Sequence, residues 1–239
     1  ILGCEVYVVE KMCKYEGKEK LHHLVLLAES QEGYQNLIKL ITISHLDGFY
    51  YQPRLDKEQL SRYSKGIIAL SGCIRGEVAD YILRDDIAKA KKTVQDYLQI
   101  FGKDHFYLEL QDHGLAEQKK INFWLKRLAR ELSVGLVASN DVHYLEPEDS
   151  LIHDVLLSVQ TLSVLGEAIS IPGKQHYLKS KEAMEELFSD LPEAIANTDI
   201  IASRCNVKLN LGRLSLPKIE VPEGFDTDSF LEKLALEGA

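Results

Sequence analysis

Asp141 and His143 stand two residues apart in the stretch Ser139-Asn140-Asp141-Val142-His143-Tyr144. In an extended segment, side chains at that spacing leave the same face. A carboxylate and an imidazole so placed can hold one metal ion between them. The run before them, Val134-Gly135-Leu136-Val137-Ala138, is apolar and β-branched without strict alternation, which predicts a strand covered on both faces. The pair then falls at the strand's C-terminal end, where folds built of parallel strands place their sites. A solvated turn with a capping Asp is the competing reading of the same residues.

Three further positions carry metal-binding chemistry. Glu5 sits in the middle of a strand-like run, Ile1 to Val8, where a carboxylate is costly unless it is paired, bound to a metal or open to water. A second run, His22-His23-Leu24-Val25-Leu26-Leu27-Ala28, begins with two histidines; a solvated or hydrogen-bonded His is the ordinary role there. A third, Gly66 to Leu70, ends in Ser71-Gly72-Cys73. Its thiol is either a small buried apolar group or, as thiolate, a metal ligand.

The elements that must position these groups follow an alternating pattern. Hydrophobic periodicity predicts strands over 1–9, 22–28, 66–71, 105–110 and 134–139. It predicts helices over 31–46, near 76–83, and over 86–101, 114–132 and 147–160. This rhythm predicts an α/β fold with parallel strands and helices outside. After residue 160 the pattern changes: 170–174 reads as a loop, Ser180 as a helix cap whose N3 residue, Ala183, leaves no capping box, and Pro192 as the first turn of a helix reaching Cys205. Beyond Leu216 come Pro217, Pro222 and Gly224, then an amphipathic start at Asp226.

Many short motifs occur in one order. They include Gly3-Cys4-Glu5-Val6-Tyr7-Val8, His23 to Ala28 followed by Glu32 to Leu40, Gly48-Phe49-Tyr50-Tyr51 and Leu70-Ser71-Gly72-Cys73. Tyr107 to Gly114, Asn140 to Tyr144, His153 to Leu157, Tyr177-Leu178-Lys179-Ser180, Arg204 to Val207 and Leu216-Pro217 continue the series. Together they resemble the PHP (polymerase and histidinol phosphatase) domain of the bacterial DNA polymerase III α subunit, over nearly the whole chain.

The resemblance implies a distorted (β/α)7 TIM-like barrel. It implies metal ligands at Glu5, His23, Asp141 and His143, with Cys73 standing where related enzymes have a His. His23 fits poorly with a site at strand ends, because it begins its strand. His113 lies in a family-typical loop and is expected to be structural. A complete ligand set implies divalent metal ions, Zn or Mn, and 3′–5′ exonuclease-type phosphoester hydrolysis, with Glu5 bridging ions and Cys73 favouring zinc.

The family also opens with a His-x-His strand and an Asp-His loop, and neither occurs here. The chain is therefore expected to be a fragment lacking the first barrel strands, with partial or absent metal occupancy and little activity of its own. Residues 1–215 are expected to form the PHP domain and 216–239 a linker toward the polymerase palm domain. Implied partners are the remaining polymerase domains of the α subunit, the proofreading exonuclease subunit, and DNA through the full-length protein. The competing function is a non-catalytic structural module that supports the polymerase and binds the proofreading subunit. A free-standing histidinol-phosphatase-type enzyme is disfavoured by the 216–232 segment, and the error-prone paralogue of the α subunit stays open.

Composition agrees. The 239 residues are 45% hydrophobic and 27% charged, an ordinary balance for a globular chain that can bury a sizeable core. Cys4, Cys13, Cys73 and Cys205 have no C-x-x-C or secretory spacing, so free thiols in a cytoplasmic protein are expected. No run approaches a membrane span or a signal peptide. The net charge of −9 argues against a main nucleic-acid-binding surface. The clusters at Lys89, Lys91 and Lys92, and at Lys119, Lys120, Lys126, Arg127 and Arg130, read as solvated helix faces opposite apolar stripes. Common nucleotide-binding and serine-hydrolase motifs are absent.

Overall fold

Apolar strands with both faces covered need partners on either side, and among the described residues six strands supply one sheet. A computed structural model of the chain describes residues 1–12, 19–164, 174–212 and 219–238. The chain divides into two units, Ile1–Val207 and Lys208–Ala239. The expected loop over 170–174 falls outside the described residues except for Lys174, as do Cys13, Leu216 and Pro217.

The first unit holds strands β1 (Gly3–Val8), β2 (His22–Ala28), β3 (Arg54–Leu55), β4 (Ile67–Leu70), β5 (Phe106–Leu110) and β6 (Gly135–Ala138). Their order in the sheet is β3-β1-β2-β4-β5-β6. The helices are α1 (Gln31–Leu46), α2 (Lys57–Arg62), α3 (Glu77–Leu83), α4 (Ile87–Phe101), α5 (Ala116–Leu132), α6 (Ser150–Thr161), α7 (Lys181–Leu187) and α8 (Pro192–Arg204). The α/β class expected from the sequence is what the described residues form.

The parallel expectation needs one correction. β1 pairs parallel with β3, and β4, β5 and β6 pair parallel in series. β2, however, runs antiparallel to both of its neighbours, β1 and β4. The β1–β2 connection contains no helix among its described residues, and without a crossover helix an antiparallel return is the short route between neighbouring strands. The two-residue β3 and the short α2 were not expected, since a segment of that length carries no measurable period.

The pairing register sorts the sheet into two faces. Leu24, Leu26, Ala28, Ala69, Phe106, Leu108, Leu110, Leu136 and Ala138 join one large core with the helices, including Leu37 and Leu40 of α1, Val94 and Tyr97 of α4, and Leu125 and Leu128 of α5. On the other face Val25, Leu27, Ile68, Leu70, Tyr107 and Val137 form a smaller cluster closed by Ile201 of α8. Glu5, paired with Val25, and His23, paired with Tyr7, share this second face by strand alternation.

Local signals set the helix ends. Ser30, Asp56, Asp86 and Ser180 each accept a backbone N–H from the first turn of α1, α2, α4 and α7. Much of the expected solvated charge is paired: Lys92 with Asp96, Lys120 with Asp85 and Lys126 with Asp190. Arg127 lies over Trp124. In the second unit, α9 (Thr227–Glu237) starts with Asp226 and Ser229 capping each other's backbone. Among the described residues no helix is long and apolar enough to cross a membrane.

Candidate metal centre

The antiparallel course of β2 removes the difficulty with His23. Because β2 starts where β4, β5 and β6 end, its first residues lie at the same end of the sheet as the parallel strands' C-termini. There His23 Nδ1 is 2.6 Å from a carboxylate oxygen of Glu5. The thiol of Cys73, in the turn after β4, is 3.6 Å from the same ring nitrogen. Gly72, at φ +80°, lets that turn fold against the His23 backbone, since an added Cβ would lie 2.7 Å from the His23 carbonyl oxygen.

Each group's electrostatics follow from this packing. The hydrogen bond to His23 outweighs burial and holds the Glu5 carboxyl below its ordinary range, with smaller contributions from Arg75 and His143. Burial pushes the Cys73 thiol up to about 12, and the charges of Asp141, Glu5 and Glu109 act in the same direction. With Nδ1 facing Glu5, the other ring nitrogen of His23, Nε2, is buried with no hydrogen-bond partner. A buried orphan of this kind is what a metal would satisfy.

Asp141 and His143 follow β6 and form a second group. Among the described residues, a carboxylate oxygen of Asp141 and one ring nitrogen each of His143 and His176 lie within 4.8 Å of one another. Asp141 has φ +46°, a left-handed conformation that Asp tolerates better than most residues and that recurs at functional sites. His176 was not expected. It comes 33 positions after His143 (176 − 143), with α6 between the two, and is brought in by backbone pairing between Tyr144 and Tyr177.

Two other groups complete the surroundings. His113 donates from Nε2 to the Asn140 carbonyl at 2.8 Å and accepts at Nδ1 from Gln118 at 2.7 Å. Both nitrogens are used, so its expected structural role accounts for the ring. Glu109, at the end of β5, stands out in the sequence only as part of a motif. Its buried carboxyl accepts from the Gly72 N–H at 3.1 Å, from Gln111 at 3.1 Å and from the Ser139 hydroxyl, tying together the segments that end β4, β5 and β6. Burial raises its pKa despite these bonds.

The five residues expected as ligands thus fall into a Glu5–His23–Cys73 group and an Asp141–His143 group at one end of the sheet. Their donor set of carboxylate, imidazole and thiol fits zinc, and without the thiol also manganese.

Comparison with known proteins gives two findings. Residues 1–113 match the PHP domain family. The whole chain is 40% identical to the DNA polymerase III subunit alpha of Borreliella burgdorferi over 246 aligned residues and 39% identical to that of Thermus aquaticus over 254. A third relative of the same name, from Treponema pallidum, is 37% identical over 95% of the chain. The chain spans about a fifth of the length of these relatives, 21%, 20% and 20% respectively.

Proposed function

We propose that the chain, whose residues 1–113 match the PHP domain family, carries a metal-dependent phosphoesterase site of the 3′–5′ exonuclease type within a replicative DNA polymerase. The observation behind this reading is the meeting of Glu5, His23 and Cys73 at the sheet end that also bears Asp141 and His143. The distorted (β/α)7 barrel is the architecture proposed with it. Parallel strands β4, β5 and β6 with helices packed on the sheet, and candidate ligands gathered at the end where those strands finish, support that arrangement.

Bound divalent ions supply Lewis acidity toward phosphoryl oxygens and make a nucleophile of water near neutral pH. The chain's own residues hold and shape the centre. Glu5 fixes the His23 ring through Nδ1, Asp141 and His143 provide the donors beyond β6, and Cys73 supplies a soft donor that selects zinc. Glu109 keeps the three strand-end segments in register. The remaining polymerase domains, the proofreading subunit and DNA are the partners proposed for the longer protein.

The test measures metal content and hydrolysis of a phosphate ester and a 3′-labelled oligonucleotide with Zn or Mn. It compares this chain with a form extended by the His-x-His segment that the family resemblance implies. The chain is expected to bind metal with little turnover, the extended form to turn over, and His143→Ala to abolish that turnover. Turnover indifferent to metal or to His143→Ala would refute the proposal.

The module reading has its own support in α6, whose Leu151, Ile152, Leu156 and Val159 are exposed and form an apolar face suited to docking. Metal binding without turnover in the extended form would favour it.

A further inference from the structure

One carbonyl sets the tautomer of two histidines. The backbone oxygen of Asp141 lies 2.7 Å from His143 Nδ1 and 3.1 Å from His176 Nδ1. A carbonyl oxygen only accepts, so both Nδ1 atoms carry a proton, and in the neutral form of each ring Nε2 carries the lone pair. The left-handed turn at Asp141 aims the oxygen at both rings. Metal-binding histidines are oriented in just this way by a hydrogen bond at the far nitrogen.

His176 is otherwise hard to explain. It is 4% exposed, and its Nε2 is buried with no hydrogen-bond partner, an expensive arrangement for an imidazole that has only packing to do. The ring is also held firmly. It stacks on His113 at 3.8 Å between centroids, and His113 is itself fixed through both nitrogens. The backbone around it is tied down by the His143 N–H donating to the His176 carbonyl at 2.8 Å and by Asn140 donating to the Gln175 and Tyr177 carbonyls at 3.0 and 2.7 Å.

We propose that His176 is a metal ligand, and that its Nε2 joins Asp141 and His143 in holding one divalent cation distinct from any ion held at Glu5, His23 and Cys73. The inference rests on reading Asp141 and His143 as ligands, and it adds a donor that follows the Asp-x-His pair in the chain. Two imidazoles and one carboxylate leave coordination positions open, as hydrolytic centres require.

Cobalt(II) is the probe, because its visible absorption reports donor type and geometry whether or not the protein turns over substrate. The 239-residue chain would be titrated with Co(II) in competition with a chromophoric chelator. His176→Gln, which keeps a donor for the Asp141 carbonyl, is compared with Asp141→Asn, His143→Gln and Glu5→Gln.

The proposal expects His176→Gln to weaken one Co(II) site by about 10–100-fold and to change its spectrum, as Asp141→Asn and His143→Gln do. Glu5→Gln should leave that site's spectrum in place. An unchanged site in His176→Gln, with Asp141→Asn and His143→Gln weakened, overturns the role of His176 and leaves the pair as ligands. An unchanged site in all three overturns both. Anomalous diffraction at the zinc edge from wild-type crystals asks the same question without a substitution. Zinc about 2.0–2.1 Å from His176 Nε2 supports the assignment, and zinc bound at Asp141 and His143 but away from His176 overturns it.

Discussion

His23 Nδ1 and the Glu5 carboxylate meet at 2.6 Å across the antiparallel pair of β1 and β2. The contact is partly open to water, the Glu5 side chain being 43% exposed and that of His23 9%. Glu5→Ala removes the group that orients His23. After discounting for exposure, the expected loss of stability is about 1 kcal/mol, with a larger effect on the affinity of any ion at His23. Urea unfolding and competitive zinc titration of the variant would measure the two separately.

Glu109 is expected to matter more for the fold. Glu109→Ala would strand the buried Gly72 N–H and the Gln111 and Ser139 donors, and the cost of a buried donor left unpaired is about 1–3 kcal/mol. Glu109→Gln, which retains a carbonyl acceptor, should lose less. Denaturant midpoints for the two variants check the order, and equal loss would show that shape rather than acceptor chemistry is what the site requires.

The strands and helices were legible wherever the chain repeats a period. His22–Ala28 and Gln31–Leu46 are observed over the residues expected for them, because apolar runs and a Ser30 cap mark them locally. Strand direction was not legible, since an isolated run of Leu and Val looks the same either way round. That is why the sequence sets His23 at the wrong end of its strand for a shared site, and the antiparallel pairing of β2 with β4 sets it at the right one. Asp141 and His143 could be found because they share one segment. His176 and Glu109 could not, because what marks them is a long-range contact.

Gly33 and Gly66 tie α1 to the start of β4. A Cβ on Gly33 would lie 1.7 Å from the Gly66 carbonyl oxygen, and Gly66 has φ +72°. Gly33→Ala therefore forces the helix off the sheet, with an expected loss of about 1–3 kcal/mol or more. The urea midpoint should fall with little change in slope.

Acid should loosen α8. Arg204 donates to Glu29 at 2.7 Å, and His105 lies 2.9 Å from the other carboxylate oxygen. Burial by itself would raise the Glu29 pKa, but Arg204 and then His105 bring it below its ordinary value of 4.5. A carboxyl with a depressed folded pKa adds stability that is fully present above its unfolded pKa and is lost as pH falls through the folded value. Unfolding free energies for the wild type and Arg204→Met, measured between about pH 6 and pH 3, should differ most near neutrality and converge in acid. A gap that stayed constant across that range would mean that packing by the Arg204 stem, not its charge, holds the helix.

Cys73 provides a test of metal choice. The thiol is 8% exposed, and burial pushes its pKa up to about 12, so thiolate-specific reagents should leave it unmodified in the native protein and reach it after unfolding. The half-exposed Cys4 serves as the internal comparison. Zinc stabilises thiolate far better than manganese does, so Cys73→Ser should reduce zinc affinity while changing manganese affinity little. Competition of the two metals for wild-type and Cys73→Ser protein reads the ratio directly. A ratio unaffected by the substitution would remove Cys73 from the ligand set and leave it as a small buried side chain beneath His23.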